Sequence, residues 1–172
     1  MLRHLRSKGT NNMIIVVILL AVILALFAGS FVSKRRFGLL GLGLAAGAII
    51  SPLWGENAGY VVSSTGLIPE GPLVNAVAFS ALILIPAVLF MFHGYTYKHV
   101  FERVIGSFLF TLLAAAFLIV PMGAAVALTG PAAGVYEWLV ANHELIISIG
   151  VVLAVVDLLF AKASHKSEKR HR

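Results

Sequence analysis

Five long apolar stretches alternate with short polar connections along this chain: Met13–Ser33, Phe37–Trp54, Leu73–Phe92, Val104–Leu128 and Leu145–Ala161. A helix needs roughly 17–25 mostly apolar residues to cross a bilayer, and these stretches fit that window. Inside hydrocarbon, every backbone N–H and C=O has to be satisfied within the protein, so such segments fold as helices. The expected fold class is therefore all-α: a polytopic integral membrane helical bundle with five transmembrane helices.

Composition agrees. Apolar residues make up 60% of the chain and charged residues 12%, about half the usual charged share of a soluble domain. The mean hydropathy is +0.99. The longest polar connection, Gly55–Pro72, leaves no room for a soluble catalytic domain. One membrane domain covers 13–161, preceded by a basic N-terminal extension at 1–12 and followed by a basic tail at 162–172, expected to be disordered from Ala163. Cysteine is absent, so the chain has no thiol chemistry.

Charge placement gives an orientation. Connections 55–72 and 129–144 carry Glu56, Glu70, Glu137 and Glu144 and no Lys or Arg. Lys34, Arg35, Arg36, Lys98, Arg103, Lys162, Lys166, Lys169, Arg170 and Arg172 all fall on the other side of the alternation. Lys and Arg gather on the cytoplasmic face, which predicts a cytoplasmic C-terminus in a bacterial inner membrane. Arg3, Arg6 and Lys8 oppose this. Their conflict is eased if the chain starts at Met13, or if Met1–Ser30 is a signal peptide; an uncleaved first helix is the preferred reading. The basic balance is directed at lipid headgroups. No basic face is interleaved with stacking aromatics, so nucleic acid is not an expected partner.

Small residues recur at four-residue spacing, which places them on one helix face. The series are Ala21, Ala25 and Gly29; Gly43, Gly47 and Ser51; Ser107, Thr111 and Ala115; and Gly150 with Ala154. In lipid such seams let backbones approach closely and supply packing energy. The expected partners are the lipid bilayer and a second copy or another membrane protein. Pro86 and Pro121 fall inside spans and are candidate hinges, with static kinks the plainer account. The tight turn Ser33–Arg36 sets the first two helices antiparallel and adjacent. Val135–Val140 suits a short helix in the headgroup layer, with Tyr136 and Trp138 as belt aromatics and Tyr95 and Tyr97 in the same role opposite.

Intramembrane chemistry needs ionisable groups at depth, and these are costly. Asp157 is the one candidate. It sits five residues before Lys162, where a carboxylate reaches water or meets a basic neighbour; an ion or proton site is the sharper alternative. His143-Glu144 begins like a zinc-protease motif, but the second histidine is missing. The deep polar set, Ser80, Ser107, Thr111 and Ser148, does not hold a charged substrate in one copy. No enzyme activity, metal or cofactor is expected.

Three stretches resemble the colicin V production protein family of small bacterial inner-membrane proteins. They are the turn Ala28-Gly29-Ser30-Phe31-Val32-Ser33-Lys34-Arg35-Arg36-Phe37-Gly38, the glycine-rich run Leu39–Ile50, and the helix start Phe101-Glu102-Arg103-Val104-Ile105-Gly106-Ser107-Phe108. The likeness covers about 13–128. It departs at Phe110, where the family carries a second glycine, and in a shorter third loop. The family's C-terminal region is often amphipathic, which makes four spans plus an interfacial helix the alternative count. The resemblance implies a role in toxin production or secretion and envelope maintenance, and brings no catalytic residues. Two other classes compete: an oligomeric, tension-gated channel, and a non-catalytic scaffold subunit.

Overall fold

The computed structural model describes residues 20–66, 68, 71–97, 99–123 and 131–168. The described residues form five helices: α1 (Leu20–Ser33), α2 (Phe37–Ser64), α3 (Pro72–Phe92), α4 (Val100–Gly123) and α5 (Pro131–Glu168). Four of them, α2 to α5, are long and apolar enough to cross a membrane. The architecture is an all-α helical bundle compatible with an integral membrane protein. Residues Met1–Asn12, the start of the first apolar stretch, Ala124–Leu128 and the last four residues lie outside the described residues.

Helices α2 and α3 form the tightest pair, and glycine is the reason. Gly43, Gly47, Ser51, Gly55 and Gly59 are all buried and recur every four residues. A Cβ at Gly43 would lie 2.8 Å from the Ala87 Cα, and one at Gly47 would lie 2.7 Å from the Ile83 Cα. At Gly55 it would run into the Phe79 ring, and at Gly59 it would meet the Asn75 Oδ1 at 3.1 Å. The antiparallel register is thus set by backbone meeting backbone along much of the pair. A second face of α2 packs on α5, where a Cβ at Gly41 would lie 3.0 Å from the Ala154 Cβ. Leu40, Leu44, Phe110 and Leu113 fill the space between α2 and α4 and are fully buried.

The seam predicted for α2 is therefore longer than expected, and so is the helix. The expectation ended it at Trp54, where the apolar run gives way to the polar connection from Gly55. In a membrane helix glycines are tolerated where they let a neighbour come close. The helix ends where hydroxyls take over the carbonyls: Ser63 Oγ bonds Tyr60 O, Ser64 Oγ bonds Val61 O and Thr65 Oγ1 bonds Val62 O. Gly66 then reverses the chain at φ +65°.

A second correction concerns α5. The separate headgroup-layer helix at Val135–Val140 does not exist; those residues are early turns of one helix of 38 residues. Its polar residues satisfy themselves locally, so they do not break it. Asn142 Nδ2 donates to Trp138 O at 2.7 Å, and Ser148 Oγ donates to Glu144 O at 2.7 Å. At about 1.5 Å per residue the helix is about 57 Å long, well beyond a hydrocarbon core of about 30 Å. It also continues to Glu168, through most of the expected disordered tail.

The turn between α1 and α2 is tight, as expected, with Lys34 at φ +58°. The last turns of α1 nevertheless contact α4 and the end of α3. Ser30 Oγ donates to Ser107 Oγ at 3.3 Å, and Gly29 faces the Met91 thioether.

Candidate functional site

All described basic connections meet at one end of the bundle, where they form a knot of helix ends. Arg35 and Thr96 make an isolated antiparallel bridge. Within it Arg36 N donates to Tyr95 O at 3.1 Å, and Tyr97 N to Lys34 O at 2.9 Å. The Arg35 guanidinium donates to Met91 O at 3.0 Å, Phe92 O at 2.7 Å and Gly94 O. These carbonyls close α3, where the helix dipole favours a cation. Arg103 does the same for α1: one nitrogen donates to Phe31 O at 2.7 Å, and its guanidinium lies 4.4 Å from the Phe31 ring centroid.

Helix α2 starts at this knot with no side-chain cap of its own, because Arg36 stands at its cap position. Two distant residues supply the acceptors. Phe37 N donates to Tyr97 Oη at 3.1 Å, and Gly38 N donates to Asp157 Oδ2 at 2.9 Å. Asp157 Oδ1 also lies 3.6 Å from Arg36 Nε. Asp157 therefore meets a basic neighbour and a helix N-terminus. It is a cap lent by α5 to α2, which accounts for its presence without an ion pathway.

Tyr97 is the residue that sequence reasoning misplaced. It was expected to face the membrane interface; instead it is half-buried, and the Arg36 guanidinium lies 5.2 Å from its ring centroid. Burial pushes its phenol from 10.0 up to about 12, against the lowering effect of the Phe37 N–H. The nearby Asp157 carboxylate raises it further. No spacing in the sequence links Tyr97 to Asp157. Gly38 and Gly41, three apart beside the main seam, were a signal for the α5 contact.

Of the predicted packing residues, Gly43, Gly47 and Ser51 meet α3 as described. Ala154 is fully buried against Gly38 and Gly41, while Gly150 faces Leu113 of α4. In the α1 series Ala21 and Ala25 are exposed among the described residues of the chain, and Gly29 is covered by Met91. Ser107 and Thr111 are buried; Thr111 Oγ1 donates to Ser107 O. Ser80 Oγ is buried with no hydrogen-bond partner among the described residues. Pro86 and Pro121 both lie inside their helices.

At the opposite, acidic end the bundle opens. A cavity of about 970 Å³ lies between α2, α3, α4 and α5. Its walls include Ala48, Phe79, Phe117 and Pro121, and Asn75, His143 and Glu144 supply polar groups. A second gap of about 540 Å³, between α2 and α3, is lined by Glu56, Tyr60, Ser63 and again Asn75. Small side chains on α2 and α3 leave this space unfilled. Among the described residues no group of three or more His, Asp or Glu side chains is placed to hold a metal ion.

No family model matches the chain, and neither does any curated protein or solved structure.

Proposed function

We propose that this protein is a non-catalytic membrane protein of colicin V production type. In this reading it acts in toxin secretion or envelope maintenance in a bacterial cytoplasmic membrane, by associating with a second copy of itself. The observation that carries the association is α5: among its described side chains only Ala154 is buried. Val152, Val156 and Leu159 are exposed along a helix that is otherwise apolar enough to span. The placement of Lys and Arg supports a cytoplasmic C-terminus.

Single cysteines test this directly, since the chain has none of its own. Oxidative cross-linking in native membranes is expected to capture a dimer from Val152→Cys, Val156→Cys or Leu159→Cys. It is expected to fail from Val100→Cys, which is exposed at the start of α4. Uniform failure across α5 rejects self-association, and a stoichiometric foreign subunit after mild detergent extraction points to the scaffold role instead. Accessibility of cysteines at Ser64 and Thr96, both exposed and at opposite ends, fixes orientation.

A channel is the second reading. Leu40, Leu44, Phe110 and Leu113 fill the bundle's interior, so a passage would run between copies. Conductance in liposomes, with and without tension, tests it; silence under both conditions counts against it.

A further inference from the structure

The two cavities at the acidic end have opposite character and share Asn75. The larger is mostly apolar, and its volume of about 970 Å³ lies near the top of the roughly 300–1,000 Å³ range of ligand sites. Pro52 and Val120 on its rim are exposed, Val120 at 63%. Both are apolar and lie within the span candidates α2 and α4, so in a bilayer this side of the cavity faces acyl chains. The smaller gap lies further along α2, toward the chain's acidic connections, and holds Glu56, Tyr60 and Ser63. An apolar chamber beside a polar one, with Asn75 lining both, matches the two parts of an amphiphile.

The polar groups choose the headgroup. Connections 55–72 and 129–144 contain no Lys or Arg, so an anionic headgroup finds no cation from them. Acceptors dominate instead. Glu56 and Glu144 offer carboxylates and Asn75 an amide oxygen. A rim of acceptors and carboxylates suits a group with several N–H donors and a positive charge.

We propose that the paired cavities bind one phospholipid with a primary ammonium headgroup. An acyl chain lies between α2 and α5 against Ala48, Phe117 and Ile147, and the ammonium group meets Glu56, Glu144 and Asn75. This site is independent of the α5 association surface, so either reading can fail while the other stands.

The test is lipid retention. The intact protein is reconstituted in vesicles of equal phosphatidylethanolamine and phosphatidylglycerol, released in mild detergent and weighed by native mass spectrometry. One phosphatidylethanolamine per chain is expected, preferred over phosphatidylglycerol roughly tenfold, the ratio set by about 1.4 kcal/mol. The double variant Glu56→Gln, Glu144→Gln is expected to bring the two lipids near parity. Ala48→Phe, which fills the apolar chamber, is expected to abolish retention of both. Ile147→Trp fills the same chamber from α5 and serves where Ala48→Phe does not fold. Equal retention of the two lipids by the unaltered protein overturns the proposal. So does undiminished retention in a folded chamber-filling variant.

Discussion

The Asp157 carboxylate accepts a hydrogen bond from the Gly38 backbone at 2.9 Å, so the last helix of the bundle caps the N-terminus of its second. An N-terminal turn leaves its first N–H groups without helical partners, and a cap oxygen satisfies them. Here the oxygen comes from another helix because Arg36, at the cap position, has none to give.

Removing that oxygen is expected to destabilise the bundle. Asp157→Ala loses the cap and the Arg36 contact together, for a cost of about 1–2 kcal/mol by the usual value of such caps. Asp157→Asn keeps an acceptor for Gly38 and is expected to cost less than half as much. Thermal unfolding in detergent checks the order. Equal losses in both variants would show that charge, not capping, is the contribution of Asp157.

The glycine seam predicts a gradient along α2. Gly47→Ala places a methyl against the Ile83 backbone, which cannot move aside alone, and is expected to cost about 1–3 kcal/mol as overpacking does. Gly59→Ala meets only the Asn75 side chain at 3.1 Å and is expected to be near neutral. Denaturant titration of the two variants side by side measures the difference.

Arg35 binds three carbonyls at the end of α3, and charge-assisted bonds of this kind are worth roughly 1.5–3 kcal/mol each when well formed. Two of the three lie at the exposed surface, where solvent competes, so Arg35→Ala is expected to cost about 2 kcal/mol in all. Arg35→Lys retains charge without the fork and is expected to recover only part of it. Proteolysis between Phe92 and Val100 is the convenient readout, with faster cleavage in Arg35→Ala.

Tyr97 gives a pH dependence. Its phenol is pushed up from 10.0 to about 12, chiefly by burial, so the folded state holds a proton that the unfolded chain releases earlier. Stability is therefore undiminished below pH 10 and falls as pH rises from 10 toward 12. Tyr97→Phe is expected to remove that decline and, in ultraviolet difference titration, the tyrosinate step near pH 12. A decline of unchanged size in Tyr97→Phe would assign it to another group.

Most of the bundle was legible because its signal is local. Apolar runs located the helices, and the spacing of Gly43, Gly47 and Ser51 located the α2 seam. The errors came where the same residue carries opposite meanings in different surroundings. Gly55 and Gly59 suggest a loop in isolation and a continued seam against Phe79 and Asn75. Val135 to Val140 suggest a separate surface helix until they are seen as early turns of the continuous α5. Ala21 and Ala25 have seam spacing, yet among the described residues both are exposed. The knot of Arg35, Arg36, Tyr97 and Asp157 was not legible as a knot, because it joins three separated segments. No periodicity records such a meeting. The acidic-end cavities were hidden for the same reason, being made of what four helices fail to fill.

A cap lent from α5 also has a consequence for biogenesis. The Gly38 N–H and its acceptor are 119 residues apart, and a ribosome delivers the donor long before the acceptor. The opening turn of α2 therefore lacks this acceptor until Asp157 has been made. Chains truncated before Asp157 keep every residue of α2 yet lack the acceptor for its Gly38 N–H.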